Sequence, residues 1–204
     1  MATNSKNKGI IKLLIALIVI TCVVIVGKIA FDSYLSASDS MHGNFESNKK
    51  ASAEVLYSDI KNTDLKTNYP KTPDEVMQFY GKCYKLLYGD MIRNEDIFAE
   101  VLHIQRNLFS TELAEKNTFE AQLEKLKEGV EQLKSQKISV IDVESKPPMY
   151  DKEYNTCEVR TTINTNATNE DGSPLKAYML FNIIKDENGL WKINSFRTTD
   201  SNFN

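Results

Sequence analysis

Hydrophobic residues in the middle of the chain repeat with the period of an α-helix. Thr72 and Pro73 suit the N-cap and the first position of a helix, and Glu75 completes a capping box. Residues three and four apart then share one apolar face, formed by Val76, Phe79, Tyr80, Cys83 and Leu87. Because Gly89 follows this apolar face, we predict that the helix ends there.

The same spacing predicts two more helices. One begins near Asn94 or Asp96, and its apolar face consists of Ile97, Val101, Ile104 and Leu108. The other begins at "NTFE", where Asn117 and Glu120 form a second capping box. Its apolar face consists of Phe119, Leu123, Leu126, Val130 and Leu133. The opposite face carries glutamate, lysine and glutamine, which indicates a solvated surface.

After Gln136 the hydrophobic pattern changes to alternation, which is typical of strands. Four strands are predicted, at "KISVIDV" (137–143), "CEVRTTINT" (157–165), "KAYMLFNIIK" (176–185) and "LWKINSF" (190–196). Pro147 and Pro148 mark the first of these as an edge or bent strand, and "DENG" (186–189) indicates a hairpin turn. Helices followed by strands predict an α+β fold, with about three helices packed on a four-stranded antiparallel sheet.

The N-terminal part of the chain has a different pattern. Leu13 to Val26 contains no charged residue, and lysines flank it on both sides. We therefore predict a cytoplasmic tail at 1–9, a transmembrane helix at 10–35, a flexible linker at 36–52 and an extracytoplasmic domain at 53–204. The predicted location is the cell membrane, in a single pass with the N-terminus in the cytoplasm. A cleaved signal peptide, which would release a secreted domain, is the alternative.

Charge and composition narrow the choice of partners. The formal net charge is −3, and basic residues do not cluster with aromatic ones. Binding to nucleic acid is therefore not expected, because it requires lysines and arginines that displace counterions. The partners that we predict are membrane lipid, through the anchor, and either another envelope protein or a second copy of the chain.

Motifs for catalysis or cofactor binding are absent from the sequence. It has no "HExxH", no paired cysteine motif and no glycine-rich phosphate loop, so no catalytic, cofactor or metal residue is predicted. A pocket between helix and sheet is the remaining candidate, lined by Tyr80, Tyr84, Tyr88, Tyr178 and Asn182, with Asp142 nearby. The simpler interpretation is that these tyrosine rings pack in the core with their hydroxyls at its rim.

Two cysteines and the single tryptophan have structural interpretations. Cys83 and Cys157 each lie on a predicted apolar face, so they are either buried free thiols or, if the helix crosses the strand, a disulfide. Trp191 follows the hairpin turn and shares a strand face with Ile193. We predict that Trp191 closes the core and takes no part in chemistry.

Three segments carry a resemblance to known families. "YPKTPDEVMQFY", "LFSTELAEKN" and "DENGLWKI" are similar to an uncharacterised family of single-span membrane proteins from Gram-positive anaerobes. The order of span, linker, helices and sheet resembles membrane-anchored nuclear transport factor two-like domains, including the periplasmic scaffold component of type IV secretion systems. The resemblance implies a shape and a location, and it transfers no catalytic residue.

Two functions follow from these patterns. The first is a membrane-anchored, extracytoplasmic protein-interaction or scaffold module without catalytic activity, which would bind through its sheet or an edge strand. The alternative is a tethered cone-shaped domain that binds a small ligand or acts as an enzyme. A wide pocket with converging polar groups favours the alternative, and a filled interior beside an exposed apolar surface favours the first.

Overall fold

The computed structural model describes residues 43–91, 94–151, 153, 155–169 and 171–199. Five helices come first among them: α1 Gly43–Asn62, α2 Pro73–Tyr88, α3 Glu95–Arg106, α4 Thr111–Lys116 and α5 Phe119–Ser135. Five strands follow: β1 Val140–Ser145, β2 Met149–Asp151, β3 Thr156–Thr168, β4 Pro174–Lys185 and β5 Trp191–Thr199. The fold is α+β, as the change from helical to alternating periodicity predicts.

The capping signals place two of the predicted helix starts correctly. In α2, the Thr72 hydroxyl accepts from the backbone N–H of Glu75 at 3.2 Å, and Gly89 is the C-cap. The Glu75 carboxylate accepts from the N–H of Lys71, one residue earlier than a standard capping box would have it. Asn94 caps α3, and its side chain accepts from the N–H of Asp96.

The predicted start of the third helix is one residue too early, because the short helix α4 ends just before it. Thr118 caps α5 in place of Asn117, and its side chain accepts from Ala121 N–H. The Asn117 amide instead donates to Leu113 O at 3.1 Å and so serves the C-terminal end of α4. The pattern of apolar residues did not indicate α4, because a helix of six residues is too short to show a helical period.

Helix α1 covers the last part of the segment predicted to be a linker. It begins at Gly43, while the predicted linker extends to residue 52. A polar composition does not exclude a helix, because lysine, glutamate and alanine all have good helix propensity. The predicted transmembrane helix at 10–35 lies outside the described residues. None of the helices in the described part of the chain has the length and hydrophobicity needed to cross a membrane.

The sheet is antiparallel, and β3 and β4 form its middle. The strand order is β1-β3-β4-β5, and β2 also pairs with β3. The sequence predicted four strands, and the fifth is β2, a three-residue strand that pairs with 156–158 beyond Pro147 and Pro148. The prolines therefore divide one edge of the sheet into two short strands. The β4–β5 hairpin turns at 186–189, where Gly189 has φ 77°.

One face of the sheet forms the core with the helices. Alternate residues of the two middle strands are fully buried there, among them Cys157, Val159, Ile163, Met179, Phe181 and Ile183. The other face carries partly buried or exposed residues such as Thr162, Leu180 and Arg197. Helices therefore cover a single face, as predicted for this order of elements.

Other elements cover both edges of the sheet in part. At β5, Ile193 N–H donates to Leu108 O at 2.8 Å and Ile193 O accepts from Ser110 N–H at 2.9 Å. At β1, a Cβ built on Gly89 would lie 3.1 Å from Val140 O, so the end of α2 comes very close to this strand. Covered edges of this kind restrict pairing with other chains.

Candidate functional site

Aromatic rings fill the interior between α2 and the sheet. Ring centroids are 4.5 Å apart for Tyr84 and Tyr88, and 5.9 Å apart for Tyr80 and Tyr84. The row continues into the sheet, with Tyr80 at 5.1 Å from Phe181 and Phe181 at 5.4 Å from Phe196. All five side chains are buried. The three tyrosines therefore pack as core residues.

The five residues proposed for a pocket do not meet. Tyr178 and Asn182 alternate along β4 with the buried Met179, Phe181 and Ile183, so they lie on the other face of the sheet. The sheet thus separates them from the three tyrosines of α2. Sequence reasoning grouped Tyr178 and Asn182 with these tyrosines, although the alternation along β4 already puts Met179, Phe181 and Ile183 on the opposite side of the strand.

Burial also makes the tyrosine hydroxyls of α2, and the two nearby cysteine thiols, poor acids and bases. It raises the pKa of the Tyr84 and Tyr88 hydroxyls well above the usual range. It likewise raises the pKa of the Cys83 thiol, and that of Cys157 to about 11. Both cysteines are buried free thiols, so the disulfide left open by the sequence is not formed in this structure. Neutral, buried thiols are not activated nucleophiles.

An open groove lies on the opposite side of α2, where α1 and β1 meet it. The cavity has a volume of about 820 Å³. Its apolar lining comes from Val55, Leu56, Gly81, Met91 and Val143. A Cβ on Gly81 would lie 3.4 Å from Val143 Cβ, so the glycine allows α2 and β1 to approach closely below the groove. The groove is an apolar recess between two helices.

Charged residues of both signs surround the groove. Lys82 and Lys85 come from α2, Asp59 from α1 and Asp142 from β1. Lys82 Nζ lies 2.6 Å from Asp59 Oδ2, and both side chains are about half exposed. An exposed pair of this kind contributes about 0–1 kcal/mol. This pair therefore contributes little to the stability of the fold.

A second, smaller cavity lies on the outer face of the sheet. Its volume is about 420 Å³, and it is lined by Glu144, Ser145, Lys146, Thr162, Lys176 and Tyr178. The Asn164 amide donates to Glu144 Oε1 at 3.1 Å beside it. Tyr178 thus lines a polar cavity, but a different one from that proposed on sequence grounds.

Trp191 lies at the border of the core. It is partly buried, its ring centroid is 6.0 Å from that of the exposed Tyr150, and Lys185 Nζ lies 5.2 Å from its centroid. The Tyr69 hydroxyl donates to Trp191 O at 2.9 Å. These contacts join β5 to β2 and to the segment before α2. The role of Trp191 is therefore to hold these elements together.

Two polar clusters were missed by sequence reasoning. Arg106 donates to Gln122 Oε1 at 2.5 Å, Asn117 O at 2.6 Å and Ala114 O at 2.9 Å, which joins α3, α4 and α5. Burial lowers the pKa of its guanidinium, which nevertheless stays protonated at neutral pH. A basic residue in the last turn of a helix is the only sequence signal for this cluster.

The second missed cluster joins α1 to α3. The Tyr57 hydroxyl donates to the Glu100 carboxylate, which also pairs with Lys61 Nζ at 3.2 Å. The hydrogen bond between Tyr57 and Glu100 raises the pKa of the tyrosine and lowers that of the glutamate. No spacing signal in the sequence relates residues this far apart.

A metal centre is not indicated by the part of the chain that the structure describes, which contains no group of three or more histidine, cysteine or acidic residues placed to hold an ion. His103 lies on the exposed side of α3, with its ring centroid 5.8 Å from that of Phe119. The His103 ring therefore packs edge-to-face with the Phe119 ring.

Together, these features define a small α+β domain with a filled interior and an open apolar groove. The chain belongs to the family described as a domain of unknown function (DUF6715), whose model matches residues 1–196. No curated protein matches the sequence. A solved NTF2-like protein involved in plasmid conjugation is similar at 10% identity and a TM-score of 0.35, over 64% of this chain and 50% of that one. The chain thus spans about half the length of that protein.

Proposed function

We propose that this protein is a membrane-anchored, extracytoplasmic interaction module without catalytic activity. The observation that carries the proposal is the open apolar groove between α1 and α2, next to an interior that is already filled. The anchor at 10–35 and the outward orientation rest on the apolar sequence and its flanking lysines.

The filled interior argues against a ligand inside the cone. Tyr80, Phe181 and Phe196 make ring contacts across the space between helix and sheet. A binding site would need that space together with polar groups pointing into it. The buried hydroxyls and thiols along this helix face also have raised pKa values, which is unfavourable for a general base or a nucleophile.

The groove has the features of a docking surface. Val55 is 72% exposed and lies at the groove wall. Below it, Leu56, Met91 and Val143 offer apolar area, while charged residues form the rim. Protein interfaces commonly combine an apolar centre with a polar rim. An exposed helix face beside a groove suits the packing of a helix.

A scaffold role of the nuclear transport factor two-like kind is the finer form of this proposal. It rests on the order of the elements, in which helices precede an antiparallel sheet that they cover on one face. It also rests on the sequence resemblance to single-span proteins. In such a role the domain would hold another envelope protein, or a further copy of itself, close to the membrane.

A crosslinking experiment in native membranes tests the interaction module. The full chain would carry a photoreactive phenylalanine analogue at Val55, and a matched chain would carry it at Glu128, on the exposed side of α5. We expect a discrete adduct from position 55 and none from position 128. An equal pattern at both positions, or no adduct at position 55, would contradict the proposal.

Protease added to intact cells tests the location. If the domain lies outside and is tethered, the protease should remove it from the cell surface, and the mature mass should still include residues 1–35. A chain that is protected until the cells are opened would contradict the outward orientation. A mature chain that lacks the apolar segment would contradict the anchor.

The outer-face cavity supports the alternative of a small polar ligand. Its lining includes the charged residues Lys146, Lys176 and Glu144 and the aromatic ring of Tyr178. Substitution of Lys176 by glutamine should then abolish any rise in melting temperature that a candidate small anion causes in the full chain. If inorganic phosphate and carboxylic acids leave the melting temperature unchanged, this alternative loses its support.

A further inference from the structure

We infer that the groove between α1 and α2 docks a second copy of this chain through a two-fold symmetric interface. The inference rests on the proposed interaction function and names its partner. In a two-fold interface the same surface patch appears on both copies, so the patch must be complementary to itself. The groove of this protein has two properties that meet this condition.

The first property is shape. Val55 projects from the wall of the groove and is 72% exposed. Beside it is a recess to which Leu56, Met91 and Val143 contribute apolar area. A projection and a recess on the same patch allow each Val55 to enter the recess of the other copy when two patches meet about a two-fold axis.

The second property is charge. The patch carries two lysines from α2, Lys82 and Lys85, and two carboxylates from other elements, Asp59 and Asp142. Lys82 and Asp59 pair with each other within the chain at 2.6 Å, so Lys85 and Asp142 are the charges that favour a second copy. A partner with a surface of one sign would meet like charges somewhere on this patch, which is unfavourable. A second copy rotated by half a turn can place carboxylates opposite lysines on both sides of the axis. Lys85 and Asp142 are the pair that we assign to this contact.

Because of membrane attachment, even a modest affinity between two copies of the domain would be enough for dimers to form. Copies that share one membrane meet at a high effective concentration, because their domains move in a thin layer. The groove begins at Ser52, within α1, and α1 follows the segment predicted to leave the membrane. The docking surface would therefore lie near the anchor on every copy.

The first test is sedimentation of the full chain in detergent micelles over a range of protein concentrations. We expect the wild type to form a dimer and Val55→Asp to raise the dimer dissociation constant at least tenfold, with Val55→Arg having a similar effect. Because Val55 is largely exposed, both variants should keep the melting temperature of the wild type when all are compared at a concentration where the chain is monomeric. Met149→Asp is the matched control, since Met149 is 42% exposed on β2 and does not line the groove.

A charge exchange tests the two-fold symmetry. Lys85→Glu and Asp142→Lys should each weaken the homodimer, because each places like charges together twice. Mixing the two variants, each with a different tag, should restore dimers between them, because both contacts are again attractive. If the mixed dimer is no stronger than either homodimer, the assigned pairing is wrong.

The outcomes separate this inference from the proposed function. A monomeric wild type, or a Val55→Asp variant that dimerises as well as Met149→Asp, overturns docking of a second copy. If position 55 then still gives an adduct with another protein in membranes, the interaction function stands with a different partner. If position 55 gives no adduct either, both the docking of a second copy and the proposed interaction function are contradicted.

Discussion

Helix α2 presents two contrasting sides. Towards the sheet it carries Tyr80 and Tyr84, which contact each other and continue to Phe181. Towards α1 it carries Gly81 and Lys82, which border an open cavity of about 820 Å³. Residues that are adjacent in sequence thus belong to a close-packed interior and to an open groove.

The contrast shows how one helix can serve both stability and binding. Large rings on the sheet side remove apolar area from water and so stabilise the fold. On the other side, Gly81 allows α2 to approach β1 closely, and Lys82 borders an open cavity that the core does not fill. We therefore expect substitutions on the sheet side to lower stability, and substitutions of exposed groove residues to change association with little loss of stability.

The largest expected effect comes from the centre of the interior. Phe181→Ala should lower the free energy of unfolding by about 4 kcal/mol, because the ring is fully buried between Tyr80 and Phe196 and its removal leaves a cavity. Urea unfolding of the full chain measures this. Leu180→Ala, on the outer face one residue away, is the control and should cost clearly less. Equal costs for the two would mean that the interior is not the packed region.

Trp191→Ala tests the border of the interior. We expect a loss of about 3 kcal/mol, because the indole is partly buried against the core and contacts Tyr150. Thermal unfolding, followed by near-ultraviolet circular dichroism, is the measurement. Tyr150→Ala removes the ring contact but leaves the tryptophan, so it should cost about 1 kcal/mol. A Trp191→Ala variant as stable as the wild type would refute the structural role.

Two glycines sharpen the comparison between the two sides of α2. A Cβ at Gly89 would lie 2.4 Å from Lys85 O, so the backbone must shift, and Gly89→Ala should cost about 2 kcal/mol. A Cβ at Gly81 would have its nearest contact at 3.4 Å, with Val143. Alanine there should be neutral or stabilise by up to about 1 kcal/mol, because it favours the helix. Chemical denaturation distinguishes them, and the reverse order of stability would contradict the described packing.

The smallest expected effect on stability is in the groove itself. Val55→Asp should change the free energy of unfolding by less than about 0.5 kcal/mol, because the side chain is 72% exposed. Urea unfolding at a concentration where the chain is monomeric is the measurement, so that loss of a dimer does not enter. A loss comparable to that of Trp191→Ala would show that Val55 is part of the core, and the contrast between the two sides of α2 would then fail.

Local patterns predicted most of the elements. The α+β order, the starts of α2 and α3, the buried alternation of β3 and β4 and the turn before Trp191 all follow from caps, periodicity and glycine positions. These features depend on residues within a few positions of one another, and such interactions are visible in the sequence. The start of α5 was misplaced by one residue because Thr118 and Asn117 both suit an N-cap, and only the presence of α4 decides between them.

The candidate site was much less predictable. Tyr178 and Asn182 were grouped with the tyrosines of α2, although the pleat of β4 places them on the other face of the sheet. The Arg106 cluster and the pairing of Tyr57 with Glu100 were missed entirely. Their partners come from separate helices, and no periodicity relates residues on different elements.

The sequence by itself determined the type and order of most elements and which residues become buried, because propensity, capping and hydrophobic period act over short distances. Tertiary structure alone decided that the tyrosine rings fill the interior and that the free space lies between α1 and α2. Both outcomes depend on how closely α2 approaches β1 at Gly81 and Gly89, and that distance follows from packing among elements far apart in the chain.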